Sequence, residues 1–263
     1  MNKETEEKLV ASLATGTTEL LPFLPYLFQD VWELGSNPVD MIHLIKNHMN
    51  LSANIRILDL ACGKGAVAVK IAQSLNIHVK GIDLIPEFIE YAKQKAKETG
   101  VETLCHFTTG DINEAIMMEK DYDCVILGAV GDVLGNQKET LRKLKATVTS
   151  NGYILVYDVY ILDIDRLEKV KYKNHEYNYE YLTYEQWLRI FSESDLTLIE
   201  AVSNNERFNS SNNNAAIALR ANELMQQFPE KKKLFEGYIN SQSNEYGGLE
   251  NSVVGLTWML QKA

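Results

Sequence analysis

A short apolar run, Ile57-Leu58-Asp59-Leu60, leads into Ala61-Cys62-Gly63-Lys64-Gly65 and then into Ala66-Val67-Ala68-Val69. A strand that meets G-x-G and continues as a helix must turn sharply, and glycine permits this because no Cβ blocks the turn or an approaching ligand. Open α/β architectures place such a turn after their first strand, though the spacing alone does not set the fold class. Downstream, short β-branched or apolar runs alternate with helical periods, as in a parallel sheet built from βαβ crossovers. Strands are predicted at about 55–61, 78–84, 103–109, 122–128, 152–160, 197–203 and 253–261. The expected fold class is α/β, with a seven-stranded, mostly parallel, doubly wound sheet.

Helix signals fall between these strands. Pro86 suits a first helical position, Ile89, Ala92 and Ala96 recur on one face, and Gly100 suits the stop. Thr183 with Gln186 forms a capping box ahead of Trp187, Leu188, Ile190 and Phe191. Residues 1–54 read as a helical N-terminal extension or cover, one helix opening at Asn37-Pro38 with Met41, Leu44, Ile45 and His48 on its face. Residues 55–263 form the sheet domain, with insertions at about 161–182 and 204–252. The second insertion is read as an Asn/Ser-rich loop over 204–214, then helical stretches at 215–228 and 229–242. It parts the last two strands.

Asp83 ends the second strand 20 residues after Gly63, the offset at which a carboxylate meets ribose hydroxyls. Together with Asp59 it points to a nucleoside-containing cofactor. Gly63-Lys64-Gly65-Ala66-Val67-Ala68 also fits G-x-G-x-x-A, so the spacing leaves an NAD-type oxidoreductase open.

The run Asp59-Leu60-Ala61-Cys62-Gly63-Lys64-Gly65 resembles the first motif of class I S-adenosylmethionine-dependent methyltransferases. Gly81-Ile82-Asp83-Leu84 is similar to that family's second-strand acid, Thr109-Gly110-Asp111-Ile112 to its adenine contact and Tyr122-Asp123-Cys124-Val125-Ile126-Leu127 to its fourth strand. The resemblance covers residues of about 50–203 and implies an antiparallel last strand. It implies S-adenosyl-L-methionine as cofactor, with Asp83 at the ribose, Asp111 with Ile112 at the adenine edge and Leu84 among the cofactor contacts. Asp59, Ala61, Gly63 and Gly65 then hold the methionine moiety, and Gly128 and Ala129 line the floor beneath the sulfonium. A non-catalytic protein binding the same cofactor is the third reading.

The 26 basic and 36 acidic residues give a net charge of −10, which opposes a nucleic-acid or anionic-membrane partner. No apolar run reaches the ~18–20 residues that span a bilayer, and the acidic start has no apolar signal segment, so a cytoplasmic location is expected. Cys62, Cys105 and Cys124 form no C-x-x-C pair and read as reduced packing residues. The histidines show no ligand spacing, so no metal is expected. Gly128-Ala129-Val130-Gly131-Asp132 stands where base-modifying relatives carry an Asn/Asp-Pro-Pro-aromatic stretch, so the resemblance favours a small-molecule acceptor. Asp132, Asp158 and His175 are the available general bases, and Tyr26, Trp32, Asp132 and Tyr160 the candidate substrate contacts. Tyr172, Tyr177, Tyr179 and Tyr181 belong to a tyrosine-rich stretch that reads either as a pocket cover or as an extended strand packing one face on the body.

Overall fold

The structure, a computed structural model, describes residues 3–13, 15–52, 54–162, 180–203, 210–249 and 253–262. Seven strands form one sheet: β1 (Arg56–Leu60), β2 (His78–Asp83), β3 (Cys105–Thr109), β4 (Tyr122–Gly128), β5 (Val148–Ile161), β6 (Leu196–Val202) and β7 (Val253–Lys262). Their order is β3-β2-β1-β4-β5-β7-β6. β1 lies parallel to both β2 and β4, while β7 runs antiparallel between β5 and β6. The expected antiparallel last strand is present. The order in which strands are added reverses between β1 and β4, which opens a crevice at their carboxyl ends.

The helices are α1 (Lys3–Ser12), α2 (Leu24–Leu27), α3 (Pro38–His48), α4 (Ala66–Leu75), α5 (Pro86–Glu98), α6 (Ile112–Met118), α7 (Gln137–Lys145), α8 (Tyr184–Glu193), α9 (Ser210–Gln227) and α10 (Lys232–Leu249). Strand alternation sends Ile57, Val79, Cys124 and Ile126 to the face covered by α3, α4 and α5, where Leu44, Ile71 and Ile89 are fully buried. Leu58, Leu60, Val125 and Leu127 face α6, α7 and α8, with Ile116, Leu144, Trp187 and Phe191. A period of two therefore fills two cores from one sheet. Burying each such aliphatic side chain contributes about 1.5–3 kcal/mol.

A third core lies above the carboxyl edge. Leu20, Leu24, Leu27, Phe28 and Val31 of the N-terminal segment pack with Ile217, Ala221 and Leu224 of α9 and with Phe235 and Tyr238 of α10, resting on Ile85 and Phe88 at the start of α5. The N-terminal segment and the second insertion thus share one cover. Arg220 ties them further, donating to Asp30 at 2.6 Å and to Glu223 at 2.8 Å.

Local chemistry accounts for most boundaries. Asn37 caps α3 through Val39 N–H at 2.9 Å, with Pro38 at the first position. The α8 capping box is reciprocal: Gln186 N–H donates to Thr183 Oγ1 at 3.2 Å and Thr183 N–H to Gln186 Oε1 at 2.7 Å. Thr183→Ala should lower stability by about 1 kcal/mol, and Thr183→Ser should restore it, as read by thermal unfolding. Equal melting temperatures for all three proteins would show that the box carries no stability.

Several expectations need correction. Strand β5 starts at Val148, not 152, because Asn151 adopts φ 62° and lets the strand begin beside Tyr122. Residues 210–214 belong to α9, not to a loop; packing of Ile217, Ala221 and Leu224 and a bond from Asn213 Nδ2 to Glu33 O at 3.0 Å outweigh the weak helix propensity of Ser and Asn. After Pro229 a short 3₁₀ turn precedes α10, which runs on to Leu249. His175, Tyr172, Tyr177 and Tyr179 lie outside the described residues.

Candidate active site

A cavity opens at the carboxyl edge where β1, β2 and β4 end. Asp59, Ala61, Cys62 and Gly63 line it from β1 and its turn, Asp83, Leu84 and Ile85 from β2, and Gly128, Ala129 and Val130 from β4. Asp111, Ile112 and Asn113, at the start of α6, close one side. Thr5, Lys8, Leu9 and Ser12 of α1, Leu13 just after it, and Trp32 to Ser36 of the following segment form the opposing wall. Ala61 and Ala129 both take positive φ, 54° and 56°, at the strand ends that face each other across the crevice. Backbone strain of this kind concentrates at ligand sites.

The carboxylates differ in what already binds them. Asp83, 8% exposed, accepts from Gly63 N–H at 2.8 Å and from Ile85 N–H at 3.0 Å, which fixes the glycine turn against the second strand. Burial raises its pKa, while the Ile85, Gly63 and Leu84 amides pull it down without cancelling the rise. Asp59 is 4% exposed and its Oδ2 has no hydrogen-bond partner among the described residues. Burial, and then the Asp83 charge, push its carboxyl up to about 8, against the lowering pull of the Ala68 amide. A buried, unpartnered carboxyl oxygen beside a second carboxylate is a place where a cation or a donor is stabilised.

Asp111 plays another part. It caps α6, accepting from Asn113 N–H at 2.8 Å, and it accepts from the Thr5 hydroxyl of α1 at 2.8 Å. Burial opposes its ionised form, yet the Asn113 and Thr5 bonds and the Lys8 charge hold its pKa below the usual value. The α1 wall is thereby tied to the α6 side of the cavity. Cys62 lines the cavity beside Asp59 and Asp83; burial first, and then their charges, push its thiol well above the ordinary range, which disfavours the thiolate.

Of the ten cofactor contacts expected from sequence, Asp59, Ala61, Gly63, Asp83, Leu84, Asp111, Ile112, Gly128 and Ala129 line this cavity. Gly65 does not. With φ +73° it precedes α4, and a Cβ there would sit 2.6 Å from the Ala92 methyl and 2.9 Å from the Phe107 ring, so this glycine serves close packing of the turn on α5 and β3. Trp32 lines the cavity and donates from Nε1 to Lys64 O at 3.0 Å. Tyr26 is turned away, its hydroxyl 2.7 Å from Glu223 in the cover. Tyr160 packs edge-on to Tyr184 and Trp258, because alternation along β5 points it into the α8-side core. Asp132 and Asp158 line a smaller neighbouring cavity with Gln137, Thr140, Tyr157 and Trp187, which meets the first only at Ala129 and Val130.

Sequence reasoning passed over α1 as a wall. Its cavity residues 5, 8, 9 and 12, with 13 just after it, follow i, i+3, i+4, i+7 and i+8, a single helical face that was readable. The 34–36 segment carried a weaker signal. A Cβ on Gly35 would collide with the Ala129 methyl, and one on Gly128 with Ser36, so these small residues let the segment lie directly on the end of β4. Among the described residues no group of three or more His, Cys, Asp or Glu side chains is placed to hold a metal ion. No described helix is long and apolar enough to cross a membrane.

Comparison with known proteins places this architecture. A family model described as a methyltransferase domain matches residues 51–242. The chain is 26% identical over 128 residues to the demethylmenaquinone methyltransferase of Leptospira interrogans, a match covering 45% of this chain and 51% of that protein. The chain spans about half the length of several curated relatives it matches. A methyltransferase from Thiobacillus denitrificans, solved with S-adenosyl-L-homocysteine, superposes with a TM-score of 0.76 at 21% identity, over 92% of this chain and 98% of that one. A Geobacter sulfurreducens counterpart, solved with the same ligand, gives 0.77 at 20% identity over 91% and 97%. At these identities the likeness is one of fold.

Proposed function

The chain belongs to the methyltransferase-domain family, and on that premise we propose that it transfers a methyl group from S-adenosyl-L-methionine to a neutral small molecule with an apolar body. The observation that carries this reading is the carboxylate arrangement: Asp59 with a free Oδ2 and a raised pKa, beside Asp83 at the ribose offset. The residues fit the cofactor. Its ammonium and sulfonium are cations, and two buried carboxylates crowded together gain from a positive charge nearby. Asp83 retains acceptor capacity beyond its two amide bonds, since an ionised carboxylate offers about four lone-pair sites for the ribose hydroxyls. Asp111 and Ile112, with Asn113 beside them in the lining, would take the adenine edge.

When bound, the cofactor supplies a sulfonium-activated methyl group. As an acceptor atom forms its bond to that carbon, the carbon–sulfur bond breaks, its electron pair stays on sulfur, and any proton on the acceptor leaves to solvent or a base. What the chain contributes is position and dryness. Holding both reactants in line can supply ~7–11 kcal/mol in favourable cases, so no dedicated catalytic side chain is required. Leu9, Leu13, Leu34, Val130 and Val133 give the remaining wall an apolar stretch, with Lys8 and Glu33 as its charged residues and the Ser12 and Ser36 hydroxyls as orienting groups. That stretch supports an acceptor with an apolar body. The Leptospira relative is named for demethylmenaquinone.

Calorimetry of the full chain with S-adenosylmethionine and S-adenosylhomocysteine tests the cofactor. Heats at micromolar ligand are expected, and absence of binding at millimolar ligand in folded protein would remove the reading. Release of S-adenosylhomocysteine with quinols, phenols and other neutral acceptors tests transfer. Tight binding with no turnover across such a set would favour a non-catalytic binding protein.

A further inference from the structure

We propose that Lys64, the side chain between the two glycines of the turn, is a positioning residue that clasps residues 28–36 onto the cofactor turn and so builds one wall of the active-site cavity. This rests on the cofactor reading above. Lys64 is 3% exposed, although lysine is rarely buried without a partner. Its ammonium donates to three main-chain carbonyls, Phe28 O at 2.8 Å, Gln29 O at 3.1 Å and Val31 O at 2.6 Å, which uses all three of its N–H bonds. The Tyr91 ring face lies 3.8 Å from the nitrogen. Among the described residues no carboxylate is hydrogen-bonded to it; the charge is met by backbone.

Phe28 O also accepts from Val31 N–H at 3.0 Å, whereas Gln29 and Val31 lie in residues 29–37, which form neither helix nor strand to supply partners for their carbonyls. The clasp is reciprocal, since Trp32 Nε1 donates back to Lys64 O at 3.0 Å. Beyond it the chain carries Trp32, Leu34, Gly35 and Ser36 along the cavity, and Gly35 and Ser36 seat on Ala129 and Gly128 at the end of β4. One end of the wall is therefore fixed at the glycine turn and the other at the strand end assigned to the sulfonium. Lys70 with Glu33 adds an ion pair midway. The flanking glycines carry no side chain, so within Gly63-Lys64-Gly65 the middle residue alone reaches the segment with one.

The charges facing this nitrogen come from two elements. Burial lowers its pKa to about 8, Asp30 on the clasped segment raises it, and Lys95 of α5 lowers it. A deprotonated amine keeps two N–H bonds for three carbonyls, so the clasp weakens above that pH.

The test uses full-length protein with 5-fluorotryptophan at its three tryptophans, Trp32, Trp187 and Trp258, with the Trp32 fluorine signal assigned by Trp32→Phe. In Lys64→Met the Trp32 resonance is expected to shift, those of Trp187 and Trp258 to hold, and affinity for S-adenosylhomocysteine to fall about tenfold. Lys64→Gln, which keeps two N–H donors, should show smaller changes and serves as the decisive variant if the methionine protein does not fold. A Trp32 resonance that stays in place, an affinity within twofold of wild type, or failure of both variants to fold would each overturn a positioning role. Wild-type protein that does not bind S-adenosylhomocysteine would instead remove the cofactor reading, and the Trp32 resonance would still decide whether the clasp exists.

Discussion

Asp83→Ala is expected to weaken S-adenosylhomocysteine binding by about thirty- to a hundredfold, or ~2–3 kcal/mol at 1.4 kcal/mol per decade. Two losses combine. The ribose hydroxyls lose their acceptor, and the Gly63 and Ile85 amides, which now donate to Asp83 at 2.8 and 3.0 Å, lose theirs. A buried donor left unsatisfied costs about 1–3 kcal/mol, and here one of the two belongs to the turn that must lie against the cofactor. Folding stability falls less than that sum implies, because the removed carboxylate was itself held in a site that raises its pKa. Asp83→Asn is the informative companion. It keeps one carbonyl oxygen for one of the two amides but turns an NH₂ group toward the other, so it should bind nearly as poorly while unfolding at a higher temperature than the alanine protein. Calorimetry and thermal unfolding on the three proteins read both effects. An alanine variant that binds within threefold of wild type would move the ribose away from Asp83.

The parts of this site that were legible in sequence are those whose chemistry is local. Gly63 and Asp83 announce themselves because a turn and a carboxylate 20 residues apart are fixed by one strand–helix–strand unit, and the structure joins them through a direct hydrogen bond. Asn37, Thr183 and Pro86 were legible for the same reason, each satisfying orphan amides within one helical turn or suiting a helix start. Gly65 shows the limit. Its spacing suggests ligand contact, yet what it meets is Ala92 and Phe107, residues brought there only by the packing of α5 and β3. Tyr26 and Tyr160 were chosen for chemistry without knowledge of direction, and direction came from partners distant in sequence: Glu223 for the first, Trp258 for the second. Lys64 was read only as the spacer in a motif. Its role depends on carbonyls 33–36 residues earlier in the chain, a contact that carries no sequence period.

Asp59→Asn should make the ligand-free protein more stable at pH 8 while weakening its hold on the cofactor, and the gain should grow with pH. In the folded chain Asp59 keeps its proton up to about pH 8, whereas in the unfolded chain it releases it near the ordinary value of 3.8. Between those two pH values the folded state binds more protons than the unfolded state, so raising the pH through this window lowers stability. Below the window the term vanishes, and above it the loss is complete. Asparagine does not titrate, so the variant escapes this penalty and retains only the part carried by Asp83, whose pKa is also raised. Even a part of what that pKa difference represents, roughly 2 kcal/mol at pH 8, corresponds to about 4–8 °C in a chain of this size, shrinking toward zero near pH 4–5. The comparison is made as variant minus wild type at each pH, so that other titrating groups cancel. Binding moves the opposite way, since the amide offers no charge to an ammonium or sulfonium and places an NH₂ group where Oδ2 stands unpartnered. Affinity for S-adenosylmethionine should fall tenfold or more. Wild-type protein should also release protons when the cofactor binds near pH 7, because a cation beside Asp59 favours the charged carboxylate; calorimetry in buffers of different ionisation enthalpy reads that release directly. A variant no more stable than wild type at pH 8, together with proton-neutral binding by the wild type, would show that Asp59 is already ionised and comfortable without its ligand. The free oxygen at Oδ2 argues for the other outcome: a carboxylate kept dry and unpaired is a cost to the empty protein, and it is recovered when a cation arrives.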